Sequence, residues 1–349
     1  MDAIASMKAS PSISAARSAL IGVGTADGLA VIVVNYGTPD LAVQAMASVL
    51  DAPPFGRRVE VHVVDNASPG GDARHLADAI AARDWSDRAT LWAESRNHGF
   101  GRGNNLVLRH LAQRADPPAY VLLLNPDAKL LGHALADMAH VLDQRPAVVA
   151  VGAGIALPDG TPVSAAFRFP NPLGEFLQAA NFGPLSRLFP TALIPLPPNQ
   201  PEGPVGWVSG AAVLFRLDAL ARIGFFDPAF FLYYEEVDLM RRLTAAGGVI
   251  WHRPQARVIH VEGAATGVRS HDPKPRPVYW HQSWLTYHLR ARGRVGGLLA
   301  ATALLAGLAI DAVACRLRNR APAAPPRSFR DFARHVLWPL LTGAEVPHA

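Results

Sequence analysis

The sequence predicts an α/β fold: a mostly parallel central sheet with helices on both faces, followed by a helical C-terminal extension. Three observations carry this. Short, continuous apolar runs rich in Val, Ile and Leu recur through the first half, as in strands covered on both faces. Segments of helical period separate them, and regular alternation of strand and helix builds parallel sheets. Finally, 349 residues with 50% apolar and 17% charged side chains suit one large domain with appendages, or two domains.

The elements follow in order. Residues 1–27 are rich in Ala, Ser and Gly, and the apolar stretch 19–23 is short and broken by glycine, so they predict a loose tail rather than a signal peptide. Residues 30–34 form a strand, and Thr38-Pro39 then supplies an N-cap and a proline at the first helical position for a helix to about Leu50. Strands are expected over 59–64, 89–93, 120–124 and 148–151, with helices over 72–83, 103–114 and 135–143. Residues 158–204 break the rhythm with many prolines and predict a long functional or mobile loop. A strand over 205–215, a helix over 217–223 and two late strands over 249–251 and 258–261 complete the domain, with no internal repeat.

Bulk chemistry narrows the function. The single Cys315 excludes an intramolecular disulfide framework and a cysteine zinc site, and fits a reducing compartment. Charge is asymmetric: residues 241–349 carry a net +11 against −6 for residues 1–240. The basic third should face something anionic: substrate phosphates, lipid headgroups or nucleic acid.

The most informative run is Gly224 to Leu239, closed by Arg241-Arg242. Glu235, Glu236 and Asp238 lie directly behind an aromatic block, Phe230 to Tyr234. Acids at the edge of an apolar wall suit a general base in a partly dry site; equally, acids favour a helix N-terminus. Upstream, polar residues follow the predicted strands: Asn35, Asp65-Asn66, Glu94 to Asn97, and Asn125-Pro126-Asp127. In open α/β sheets ligands sit beyond the carboxyl ends of strands, where these would converge. The run Asn97 to Asn105 follows a strand and opens a helix, but places Asn104 where a dinucleotide fingerprint has its third glycine.

Taken in series, these segments resemble the family 2 glycosyltransferases, especially bacterial rhamnosyltransferase-like members, from about Val31 to Gly267. Val33 to Tyr36, Val63 to Ser68, Asn97 to Asn105, Leu123 to Asp127, and Gly210 to Arg216 with Gly224 to Arg241 are similar to the family's motifs in the expected order. The resemblance implies the GT-A fold, with residues 28–150 as a nucleotide-sugar half and 151–290 as an acceptor half. It implies an inverting sugar transfer, with rhamnose the favoured sugar, from a nucleotide-diphosphate donor to a glycan acceptor, commonly lipid-linked, in cell-surface polysaccharide synthesis. Glu236 takes the place of the catalytic acid, with Glu235 and Asp238 in support. Asn35, Asp65, Asn66, Arg96, Asn97, Gly99, Asn125 and Asp127 fall at donor-binding positions. Asp127, with His260, falls where the family holds a divalent metal, Mg2+ or Mn2+; Asn125 stands where the first aspartate of Asp-X-Asp is usual.

Residues 291–349 form the basic extension. Residues 295–310 are almost wholly apolar, Asp311 interrupts, and arginines flank the run at 290, 292, 294, 316, 318 and 320. A helix lying in an anionic membrane interface and a helix packed on the catalytic domain or a second subunit fit equally; a span fits less well, because Asp311 is costly within hydrocarbon. The apolar run among arginines argues against nucleic acid. The expected place is therefore the cytoplasm, peripheral on the inner face of the cell membrane. A homo-oligomer and a non-catalytic glycan-binding protein on the same fold remain alternatives.

Overall fold

The computed structural model describes residues 28–261 and 274–343. The expected tail and the 262–267 segment lie outside the described residues. The chain opens β1 (Gly28–Asn35), α1 (Pro39–Leu50), β2 (Arg58–Asp65), α2 (Asp72–Ala82), β3 (Ala89–Ala93), α3 (Phe100–Ala112), β4 (Tyr120–Leu124), β5 (Ala128–Leu130), α4 (Ala134–Gln144) and β6 (Val148–Ala156). After β7 (Pro162–Val163) and β8 (Ala166–Phe167) come α5 (Pro172–Ala180), α6 (Gly183–Leu188), β9 (Gly203–Val205), β10 (Trp207–Val208) and β11 (Ala212–Arg216). The remainder is α7 (Leu217–Arg222), α8 (Glu235–Ala245), β12 (Val249–His260), α9 (Val278–Leu317), α10 (Ser328–Phe332) and α11 (Trp338–Thr342).

The main sheet runs β3-β2-β1-β4-β11-β6-β12-β5. β3, β2, β1 and β4 are mutually parallel, whereas β11 enters antiparallel to β4 and β6. Side chains alternate across each strand. Val31 and Val33 face Met46, Leu76 and Met138 of α1, α2 and α4, while Ile32 and Val34 face Leu108, Leu220 and Leu239 of α3, α7 and α8. Helices therefore cover both faces, which is why these strands read as unbroken apolar runs.

Four local expectations change. Thr38 makes no side-chain cap; instead Asn35 Oδ1 accepts from the Thr38 amide (3.2 Å) and hydroxyl (3.1 Å). Residues 158–204 hold two helices rather than one long loop. The single strand expected over 205–215 is three, because the chain leaves the main sheet so that β10 can pair with β8. At the turn, Gly206 lies where a Cβ would come 2.9 Å from the Phe167 carbonyl oxygen. The two late strands are one, β12, whose register shift between Arg253 and Arg257 accommodates Pro254.

The extension docks on the domain. α9 is 40 residues long and breaks at Gly293 (φ 66°). Trp284, Leu285, Ala300 and Leu304 pack with Phe332, Val336 and Leu340 into a separate core. Gly307 rests on α5 so closely that a Cβ would lie 2.5 Å from the Phe176 carbonyl oxygen. Asp311 is turned inward and accepts the Ala323 amide at 3.3 Å. The outward side is different in kind. Val295, Leu299, Thr302, Ala306, Ala309, Ile310, Val313 and Leu317 are all exposed, and at 100° per residue they form one uncharged stripe.

Candidate active site

Strand register assembles the carboxyl edge of the sheet, where the donor-binding residues are expected. Asn35 lies opposite Asp65, and Asp65 opposite Ala93, so the carboxyl ends of β1, β2 and β3 are level. Asn35 is fully buried and donates to Asp72 Oδ2 (2.9 Å) and Asp65 Oδ1 (3.2 Å). The Ser68 hydroxyl also donates to Asp65 Oδ1, at 2.6 Å. Asn66 clamps the glycine-rich turn: its amide donates to Asn97 Oδ1 (3.0 Å) and the Gly99 carbonyl (3.1 Å), and its oxygen accepts the His98 amide (3.0 Å). Asn97 Oδ1 also accepts the Gly99 amide at 2.8 Å. Buried polar groups are stable only when paired, and these pair with one another. Asn35 and Asn66 thus shape this edge from within, and the exposed Asn97 braces the turn beside it.

The glycine-rich segment also ties this edge to the acidic segment. Phe100 donates its amide to the Phe231 carbonyl at 3.1 Å, and Gly99 (φ 76°) lies so close that a Cβ would sit 2.0 Å from that oxygen. Asn105 makes a reciprocal pair with the Phe226 backbone, at 2.8 and 3.0 Å. Arg96 is exposed on a cleft of about 450 Å3, shared with His98, Arg102, Phe231 and Tyr279. Sequence reasoning missed Arg102 and Tyr279, which lie far apart in the chain and meet only here.

Asp127 and His260 meet because β5 pairs antiparallel with the end of β12, setting His260 opposite Ala128. His260 Nε2 lies 3.0 Å from Asp127 Oδ1, and the Asn125 amide nitrogen lies 3.5 Å from the same ring nitrogen. Among the described residues no cluster of three or more His, Cys, Asp or Glu forms a complete metal cage. One carboxylate and one imidazole, completed by substrate phosphates and water, is nevertheless a donor set that fits a divalent ion bound with a nucleotide.

The acids open α8. Tyr233 (φ 70°) and Tyr234 (φ 65°) are both left-handed, a strained conformation for aromatic residues that concentrates at functional sites. Glu235 is buried, and burial together with the neighbouring Glu236 charge pushes its carboxyl well above the usual range. Glu236 is half-buried, and burial raises its carboxyl too. The Oε2 atoms of both are out of solvent and without a hydrogen-bond partner among the described residues. Gly210 leaves space beside Glu236: a methyl there would touch Oε1 at 3.5 Å. Asp238 differs, pairing with Arg242 at 2.7 Å, while Arg242 also donates to the Ile223 and Phe225 carbonyls. Asp238 therefore fastens the 223–225 turn to α8. Asp238 is thus paired within α8 itself, whereas Glu235 and Glu236 are desolvated and have no salt bridge among the described residues.

Residues 30–185 match the sequence profile described as glycosyl transferase family 2. The chain carries a family 2 glycosyltransferase domain. It is 29% identical over 265 residues to the N-acetylglucosaminyl-diphospho-decaprenol L-rhamnosyltransferase of Mycobacterium tuberculosis, covering 74% of this chain and 82% of that protein. Among solved structures, Staphylococcus aureus TarS 1–349 in complex with UDP-GlcNAc superposes with a TM-score of 0.55 at 12% identity, over 92% of this chain and 82% of TarS. GalNAc-T7 with UDP, GalNAc and Mn2+ gives 0.55 at 12% identity, over 92% of this chain and 59% of that one. These likenesses establish the GT-A fold of the glycosyltransferase.

Proposed function

We propose that the glycosyltransferase moves a sugar, with inversion, from a nucleotide-diphosphate donor to a lipid-linked glycan in cell-surface polysaccharide synthesis. The observation that carries this is Glu236: a desolvated carboxylate at the start of α8 whose Oε2 has no hydrogen-bond partner among the described residues, in a chain whose strand ends gather Asp65 and Asp127. Residues 28–150 serve the donor and 151–290 the acceptor. Relatives named for rhamnosyl transfer make rhamnose the favoured sugar, carried on deoxythymidine or uridine diphosphate.

In the reaction, the acceptor hydroxyl oxygen bonds to the anomeric carbon while the bond from that carbon to the diphosphate oxygen breaks. The hydroxyl proton passes to Glu236, and the nucleoside diphosphate leaves with the bonding electrons. Attack from the face opposite the leaving group inverts the centre. Glu236 suits this role because desolvation raises its basicity toward neutral pH. Asp127 and His260 would hold a Mg2+ or Mn2+ ion, which when bound neutralises charge on the departing diphosphate. Asp65 and Arg96 would contact the nucleotide.

The membrane setting is read from α9. Its uncharged outward stripe ends in Arg316, Arg318 and Arg320 on one side and Arg292 and Arg294 on the other, as in helices that lie in an anionic lipid interface. Its inner face is occupied by the domain, which supports lying on the membrane rather than crossing it. Leu299→Glu with Val313→Glu should abolish co-sedimentation with anionic vesicles and leave donor hydrolysis intact; continued sedimentation would refute the interface.

The test of the reaction is a panel of nucleotide sugars assayed with Mn2+ and after exhaustive chelation. Asp127→Asn should fold normally yet lose roughly 100-fold or more in turnover. Full activity after chelation would remove the metal from the scheme, and no turnover with any donor would remove the reaction.

A further inference from the structure

A cavity of about 230 Å3 lies between α5, α9 and the segment around α10. Tyr234, Trp280 and Phe332 line it with aromatic rings, and Gln178, Asn181 and Ser328 add amide and hydroxyl groups. Tyr234 is also the residue from which α8 springs, two positions before Glu236. We propose that this cavity is the acceptor subsite, holding one sugar ring with its anomeric phosphate outside, against Arg276. The proposal rests on the transfer reaction above and names what its acceptor half binds.

The chemistry of the lining decides the ligand class. A pyranose has an apolar C–H face and a rim of hydroxyls. Aromatic rings with an electron-rich face match the first, and short polar side chains match the second. An aliphatic chain alone would leave the buried groups unpaired. His281 lines the cavity and is 1% exposed, yet neither ring nitrogen has a hydrogen-bond partner among the described residues. Burial, then the charges of His335 and Arg276, push its pKa down to about 4, so near neutral pH the ring offers one donor and one acceptor. A hydroxyl satisfies both roles.

The cavity also orders the ligand. Glu175 is buried within it and paired to His288 at 3.2 Å, so a phosphate inside would meet a carboxylate. Arg276 stands exposed at the mouth, its guanidinium 3.8 Å over the Trp280 ring. Stacking presets that cation for an anionic oxygen. Sugar inside and phosphate outside is the arrangement these charges permit. The volume is below the roughly 300 Å3 at which drug-sized sites begin, which suits a single ring.

The experiment measures equilibrium binding of two probes to the full chain: N-acetylglucosamine 1-phosphate, and N-acetylglucosaminyl diphosphate on a short isoprenoid. Ala324→Trp fills the cavity from its edge, and Arg276→Gln removes the cation. Each should weaken probe binding by about tenfold or more, while Ala324→Trp leaves donor hydrolysis and the melting temperature within error. Binding of both probes points to the sugar phosphate itself, and binding of the isoprenoid probe alone to a lipid-linked source; either supports the subsite if the variants weaken it. Unchanged binding in a folded Ala324→Trp protein overturns it, as does equal competition by an isoprenoid phosphate lacking sugar. Gln178→Ala provides a second variant should Trp disturb folding. If no nucleotide sugar turns over while cavity-dependent binding persists, the transfer reaction fails and the subsite stands.

Discussion

The carboxyl edge of the sheet and the acid-bearing helix of this glycosyltransferase solve opposite problems. At the sheet edge, Asn35, Asp65 and Asn66 are buried, and they and the exposed Asn97 each have hydrogen-bond partners within the protein. Around α8, Glu235 and Glu236 each keep a dry oxygen without a partner among the described residues, Tyr233 and Tyr234 are left-handed, and neither ring nitrogen of His281 has a hydrogen-bond partner among the described residues. A surface that must present a fixed shape to a ligand is best built from satisfied networks. A group that must take up a proton is best left short of partners, since solvation would lower its basicity. The glycine-rich segment joins the two, through Phe100 to Phe231 and Asn105 to Phe226.

Three substitutions probe the contrast. The largest effect belongs to Glu236→Gln, which keeps shape but cannot accept the proton. Transfer should fall roughly 100-fold or more, within the range of general-base loss, with donor affinity near wild type. In the wild type, the limb of kcat/KM that falls toward acid pH should lie above the ordinary carboxylate range, because burial raises this group. Substantial transfer by Glu236→Gln alongside a dead Glu235→Gln would move the base to residue 235.

Next is Asn66→Ala, which strips three hydrogen bonds from the 97–99 turn. Unfolding free energy should drop by about 1–3 kcal/mol, and donor affinity should weaken more than acceptor affinity. Equal loss on both sides would mean that the glycine-rich segment serves the halves as one rigid unit.

The smallest effect is the stability of Glu235→Gln, and its sign is opposite. The folded carboxyl pKa is raised above its ordinary 4.5 by burial and by Glu236. Between the unfolded and folded values the native state holds a proton that the unfolded chain has released, so stability falls as pH rises through that window. A neutral Gln escapes this penalty. The variant should melt higher than wild type at pH 8, and the advantage should vanish below about pH 4.5. A lower melting temperature at every pH would show that Glu235 has a stabilising partner after all.

Much of this was legible before folding. The alternation of apolar runs and helical segments fixed the layered α/β class, because a strand covered on both faces must be apolar at every position. The polar residues closing those runs marked one shared edge of the sheet, because parallel strands end level. Other features were hidden. No local pattern tells that Arg102 and Tyr279 share a cleft, or that Asn66 holds the 97–99 turn rather than pointing outward. The Asp127 and His260 pair needed β12 to continue through Pro254 and meet β5, whereas the proline suggested two separate strands.

Sequence by itself therefore determined the fold class, the edge at which polar residues gather, and a helix too apolar to be an ordinary surface element. Those properties depend on residue type and spacing, which local physics reads directly. Tertiary structure alone decided how far Glu235 and Glu236 are desolvated, which face of α9 is occupied by protein, and where an aromatic cavity opens beside α8. Each of these depends on partners dozens to hundreds of residues away, and desolvation and pairing are properties of the packed neighbourhood, not of the residue.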